Sequence, residues 1–116
     1  MKVTIYHNPR CSKSRQTLAL IEKKGIQPII IKYMDNPPDF DTIKFILNAL
    51  KVNIRSLLRE EEPEYKNENV KLKNFNEQQL IDWLSRHPRV IQRPIVITSN
   101  GACICRPPEN VLAILD

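Results

Sequence analysis

The sequence predicts an α/β domain in which a mixed sheet of about four strands is covered by helices. Two pairs of apolar runs carry that expectation. Val3-Thr4-Ile5-Tyr6 is short, β-branched and aromatic, and a helix-compatible stretch from Ser14 to Lys24 separates it from Ile29-Ile30-Ile31. That is the pattern of a βαβ unit with a parallel pair. Near the other end, Ile95-Val96-Ile97-Thr98 and Ala102-Cys103-Ile104-Cys105 flank Ser99-Asn100-Gly101. Asn-Gly between apolar runs is a strong hairpin signal, so these two strands should be antiparallel. With 116 residues and 41% hydrophobic composition, the chain can bury one core and is too short for two ordinary domains, so residues 1–116 read as one.

Taken in order, Val3 to Tyr6 is the first strand, and Pro9 breaks the chain before Cys11. Thr17, Leu18, Ala19, Leu20 and Ile21 give the first helix a broad apolar face, and Gly25 suits a left-handed terminator beyond Lys23-Lys24. The uninterrupted run Ile29 to Ile31 reads as a fully buried strand. Tyr33 to Asp39, with Pro37-Pro38, is a loop. Ile43, Ile46, Leu47 and Leu50 then fall at i, i+3, i+4, i+7 and predict an amphipathic helix. A shorter helical turn carries Ile54, Leu57 and Leu58, with Arg59 directly after it. By itself Arg59 reads as a solvated arginine at a helix C-terminus. Pro63 to Asn74 is polar and aperiodic, and is expected to be a loop or weak helix and the most mobile part of the chain. Asn76 and Gln79 form a capping-box pattern for a helix with Leu80, Trp83 and Leu84 on its apolar side, ended by His87-Pro88. His87 there suits a residue that offsets the helix dipole. After the hairpin, Arg106-Pro107-Pro108-Glu109 starts a last helix containing Val111, Leu112 and Leu115. The order β-α-β, then helices, then β-β-α, with a cysteine after the first strand and Arg-Pro entering the third, is the thioredoxin-like pattern.

Composition excludes several function classes. No stretch is long and apolar enough to span a bilayer, and no secretory leader is visible, so a cytoplasmic protein that neither enters nor binds membranes is expected. Cys11, Cys103 and Cys105 include no C-x-x-C pair, which argues against a disulfide framework or a metal site. The net charge of +5 is spread along the chain and interrupted by Glu60-Glu61-Glu62, so no nucleic-acid partner is expected. A modestly basic surface favours an anionic substrate instead.

Cys11 is the candidate reactive group. It lies at a strand-to-helix turn, where the unpaired amides and the positive end of the helix dipole favour a thiolate. His7, Arg10, Lys13 and Arg15 add nearby positive charge. An ordinary thiol with a pKa near 8.5 is only about 3% ionised at pH 7, so a modest downward shift changes its reactivity greatly. Cys103 and Cys105 are two apart and point to one face of their strand; buried core thiols are the plain reading, with a resolving role open to either.

The residues Tyr6-His7-Asn8-Pro9 with Cys11, Ser14 and Arg15, then Leu57-Leu58-Arg59, Leu80-Ile81-Asp82, Arg93-Pro94-Ile95-Val96 and Cys105-Arg106-Pro107, occur in the order found in one family. On these blocks the chain resembles the ArsC family of glutaredoxin-dependent arsenate reductases, from Ile5 to its end. Arg10 before Cys11 and Ser12-Lys13-Ser14 after it look closest to the YfgD-like branch. The resemblance implies that Cys11 is the nucleophile, that Arg59, Arg93 and Arg106 bind the oxyanion, and that His7 and Ser14 tune the thiol. It further implies arsenate as substrate, glutathione as co-substrate, glutaredoxin as partner, no bound metal or organic cofactor, and a monomer. The chemistry would be reduction to arsenite through a covalent adduct on Cys11.

Two alternatives belong beside it. A thiol-disulfide oxidoreductase could use the same thiol, with the arginines recognising a carboxylate. A Spx-like regulator that binds RNA polymerase shares the fold, but such proteins carry a C-x-x-C pair where this chain has Ser14 as the fourth residue.

Overall fold

The computed structural model describes residues 1–115. The chain divides into two compact units: one joins residues 1–36 to the segment from 93 onward, and the other comprises residues 37–92.

The first unit is built on a four-stranded sheet in the order β2-β1-β3-β4, with β1 at Val3–His7, β2 at Ile29–Lys32, β3 at Ile95–Thr98 and β4 at Gly101–Ile104. β1 pairs parallel with β2 and antiparallel with β3, and β3 pairs antiparallel with β4. This is the mixed sheet of a thioredoxin-like fold. The βαβ unit and the hairpin therefore appear as expected, and the loop Ser99-Asn100 joins partners Thr98 and Gly101. Gly101 has φ +140°, a conformation that L side chains rarely adopt, so glycine suits the start of β4.

Helix α1 spans Ser12–Lys23 and buries Ser14, Thr17 and Ile21 at near-helical intervals. Leu18 and Leu20 are only partly buried. Gly25, at φ +78°, ends the helix, and its amide donates to the Glu22 carbonyl at 2.9 Å. The core of this unit gathers Val3, Ile5, Ile21, Val96, Cys105, Val111, Ile114 and Leu115.

Two expectations fail here, each for an identifiable reason. β2 is not buried: Ile29 and Ile30 are 48% and 43% exposed. A β-branched run reports strand propensity, not a central place in the sheet, and β2 occupies an edge. The last helix is a 3₁₀ helix, Pro108–Ile114. Its buried residues Pro108, Val111 and Ile114 recur every third position, which matches three residues per turn and not 3.6. Leu112 is therefore exposed, and Leu115 follows in an extended conformation.

The second unit is helical. α2 (Phe40–Leu50) begins at Asp39, whose carboxylate accepts the Thr42 amide at 2.9 Å, and it buries Ile43, Ile46 and Leu47. α5 (Glu77–Ser85) begins with the expected capping box: the Asn76 side chain accepts the Gln79 amide, and the Gln79 side chain accepts the Asn76 amide. Leu80, Ile81, Trp83 and Leu84 are buried along it. At its end His87 stacks on Trp83 with ring centroids 4.1 Å apart, and its Nδ1 lies 2.7 Å from the Trp83 carbonyl oxygen. That carbonyl, in the last turn of the helix, also accepts the Arg86 amide at 3.1 Å.

Of the loop or weak helix expected for this segment, residues 63–73 form the helical alternative, as two short helices, α3 (Pro63–Asn67) and α4 (Asn69–Lys73). Neither is long enough to show a period, yet each anchors one buried residue, Tyr65 and Leu72. Arg55 Nη2 donates to the carbonyls of Leu72, Lys73 and Phe75 at 3.1–3.3 Å, closing the end of α4. Glu68, between the two helices, accepts the Trp83 indole N–H at 2.9 Å. Tertiary partners supply what local propensity lacks.

Candidate active site

The pairing of the sheet decides what lies near Cys11. β1 ends at His7, which is opposite Lys32 at the end of β2. Tyr6 is opposite Ile95 at the start of β3, and Ile95 is opposite Ile104 at the end of β4. The segments that leave β1, leave β2, enter β3 and leave β4 consequently emerge at one edge. These segments carry Cys11, Tyr33, Arg93 and Arg106 respectively. It is also the carboxyl edge of the parallel pair, where open α/β sheets bind ligands.

Between β1 and α1 the chain makes a tight turn, with the Cys11 amide donating to the Asn8 carbonyl at 3.0 Å. Pro9 sits at the second position of that turn, which favours its fixed φ. The Asn8 side-chain oxygen accepts the Arg10 amide at 3.0 Å, and Arg15 Nη1 donates to the Pro9 carbonyl at 2.8 Å. Cys11 is then the N-cap of α1, in extended conformation, and its carbonyl accepts the Arg15 amide.

The thiol is half-buried and forms no capping hydrogen bond of good geometry. Its pKa is nonetheless lowered. Burial opposes ionisation, but the Ser14 amide, the Arg93 guanidinium and the Lys13 amide together outweigh it. The helix-terminus mechanism read from the sequence is thus present, whereas the side-chain charge that acts on the thiol is that of Arg93. Among the four nearby cationic candidates, Lys13 contributes through its amide and Arg15 turns to Pro9.

His7 differs from its expected role as a source of positive charge. It is 5% exposed, and burial, helped by Lys32 and Arg15, lowers its pKa, so the imidazole is neutral near pH 7. Its Nδ1 lies 2.6 Å from the Ser14 hydroxyl oxygen, which also accepts the Asn8 amide at 3.0 Å. With Asn8 donating, the hydroxyl proton is available to Nδ1. His7 and Ser14 therefore pin the first turn of α1 to the end of β1, and with it the Ser14 amide that acts on the thiol.

Arg93 and Arg106 stand together: Arg106 Nη1 donates to the Arg93 carbonyl at 2.9 Å. Both precede cis prolines, Pro94 and Pro107. Arg59 belongs to the helical unit. Its amide donates to the Val90 carbonyl at 2.6 Å, and its mostly buried guanidinium approaches Glu62, Nε to Oε1 3.8 Å. It is not the freely solvated side chain that its position after a helical turn suggested.

Tyr33 escaped the sequence reading because it lies in a segment read only as loop. It is 1% exposed. Burial raises the pKa of its phenol, while Arg93 and the Asn8 side chain pull it down and Cys11 raises it further, which places the hydroxyl among the groups around the thiol. Only its large aromatic ring directly after β2 could have signalled burial.

A nucleophilic thiol with a lowered pKa, the Arg93 guanidinium acting on it and the Arg106 guanidinium held at the Arg93 backbone can attack an electrophilic centre that carries negative oxygens. The description of the ArsC family matches residues 6–114. The arsenate reductase of Haemophilus influenzae is 44% identical over 116 residues, covering 99% of this chain and 100% of that protein. Escherichia coli YfgD is 42% identical, covering 98% of this chain and 97% of its own. Among solved structures, the arsenate reductase from Vibrio cholerae superimposes with a TM-score of 0.94 at 43% identity, covering 99% of this chain and 98% of that one. A chain with this fold, this cysteine turn and a family match along nearly all of its length belongs to the ArsC family.

Proposed function

We propose that this protein reduces arsenate to arsenite in the cytoplasm, with glutathione as co-substrate and glutaredoxin as partner. The observation that carries the reading is the Cys11 thiol at the start of α1, its pKa lowered by the Ser14 amide and Arg93 against the effect of burial. Similarity to arsenate reductases covering nearly the whole chain supports the choice of oxyanion.

In this scheme the Cys11 thiolate attacks arsenic, a sulfur–arsenic bond forms, and hydroxide leaves as water. Glutathione then attacks the adduct. Its thiol and that of glutaredoxin together supply two electrons and become a mixed disulfide, as arsenic falls from +5 to +3 and arsenite is released. Arg93 and Arg106 hold the oxygens as planar donors, and Arg59 is assigned the same task on family resemblance. Ser14 and His7 position the amides that steady the thiolate. The entire chain serves as one functional unit, and a monomer suffices.

Arsenite production by the purified protein with glutathione and glutaredoxin tests the reading. Turnover should appear with the native chain and vanish with Cys11→Ser. An inactive native protein whose Cys11 still alkylates rapidly at neutral pH would refute arsenate as the substrate and favour a thiol-disulfide oxidoreductase.

A further inference from the structure

Outside the Cys11 site, a second pair of sulfurs stands in contact. Cys103 on β4 and Cys105, the first residue after that strand, have Sγ atoms 2.6 Å apart. That separation is shorter than an ordinary non-bonded sulfur contact and approaches the length of a disulfide bond, about 2.05 Å, so the two sulfurs stand within bonding reach. The two thiols are also unequal in access: Cys103 is half-buried, whereas Cys105 is fully buried within the core of the sheet unit. Both are free thiols, and nothing in the scheme for Cys11 uses them.

We propose that Cys103 and Cys105 form a second redox centre, a C-x-C dithiol that closes to an intramolecular disulfide by exchange with a small disulfide such as glutathione disulfide. Cys103, the accessible sulfur, attacks as thiolate and displaces one glutathione thiolate, giving a mixed disulfide. Cys105 then loses its proton, attacks the Cys103 sulfur and displaces the second glutathione. The dithiol is oxidised by two electrons and glutathione disulfide is reduced to two glutathiones.

The electrostatics favour this order of events. The hydrogen bond from Cys105 lowers the pKa of Cys103 against the effect of burial, and the same contact together with burial raises that of Cys105. A half-buried, more acidic entry thiol beside a fully buried partner is the division of labour that exchange needs. The position also has a consequence for the neighbouring site. Cys105 donates its amide to the Pro94 carbonyl at 2.9 Å and directly precedes Arg106, so the pair shares a backbone with both Arg93 and Arg106.

The Cys103–Cys105 pair needs neither Cys11 nor its substrate to close. The full-length Cys11→Ser protein, which retains only these two thiols, is incubated with excess glutathione disulfide, quenched with an alkylating reagent and weighed intact. Both alkylation sites should be lost, with a mass lower by two hydrogens and no glutathione attached, and dithiothreitol should restore both. In Cys105→Ser combined with Cys11→Ser, one glutathione should remain on Cys103. Two thiols that still alkylate fully, or a glutathione that persists when Cys105 is present, would overturn the proposal. A double variant that takes up no glutathione would overturn the assignment of Cys103 as the entry thiol.

Discussion

The two units of the chain are assembled in opposite ways. The helical unit is one continuous stretch, residues 37–92, and its elements follow from local rules: an aspartate cap on α2, a capping box on α5 and apolar residues at helical spacing. The sheet unit joins the N-terminal 36 residues to a segment that returns at 93, and its chemistry exists only because β1 and β3 pair in the register Tyr6 to Ile95. Local patterns thus build scaffold, while a reactive centre is made where sequence-distant segments meet. A shift of that register by one residue would turn every side chain of the strand to the other face.

Substitutions can break that contrast. The largest effect is expected from the packed interiors. Leu84→Ala in the helical unit and Ile5→Ala in the sheet unit each empty a site with no solvent exposure, and each should lower the unfolding free energy by about 2–5 kcal/mol in urea titrations. A loss below about 1 kcal/mol at either site would mean that its unit is less well packed than described.

Next in size is Arg93→Ala. It removes the guanidinium that acts on Cys11 and should slow arsenate reduction about 100-fold, equivalent to roughly 3 kcal/mol, while shifting thiol alkylation to higher pH. Arg93→Lys should recover part of the alkylation shift and less of the rate, because a point charge cannot reproduce the planar fork.

His7 gives the smallest effect and the clearest sign. Its pKa in the folded protein lies below the unfolded value of about 6.5, so between the two the unfolded chain binds more protons. Stability from His7 is therefore complete above about pH 6.5 and is lost as the pH falls through the folded value, with a slope of at most about 1.4 kcal/mol per pH unit. Thermal unfolding between pH 7 and pH 5 should show this loss, and His7→Asn should flatten it. An unchanged slope would remove His7 as the titrating group.

The same contrast explains what could be read from the sequence. The thiol at the start of α1, the βαβ unit, the Asn-Gly hairpin and α5 were legible, since each depends on neighbours in sequence. The family blocks identified Arg93 and Arg106 as candidates, and sheet register explains why both stand at the Cys11 edge. Tyr33 carried no motif and is placed there only by the parallel pairing of β2. The edge position of β2 was hidden because β-branched residues fit edge and centre alike. α3 and α4 could be read only as a loop or weak helix, because their order depends on Arg55, Glu68 and Trp83. For His7, the positive charge expected from residue type gave way to burial, a property of the packed chain. The shared face of Cys103 and Cys105 was readable from their spacing, but contact between their sulfurs was not.

Helix amides and Arg93 prevail over burial and make the Cys11 thiol more acidic than an ordinary cysteine. The most direct measurement is the pH dependence of Cys11 alkylation by iodoacetamide in the Cys103→Ser, Cys105→Ser background, which leaves a single thiol to titrate. The midpoint should fall clearly below the ordinary thiol value of about 8.5 and rise when Arg93 is replaced by alanine. A midpoint at or above 8.5, unmoved by Arg93→Ala, would show that burial prevails and contradict the account.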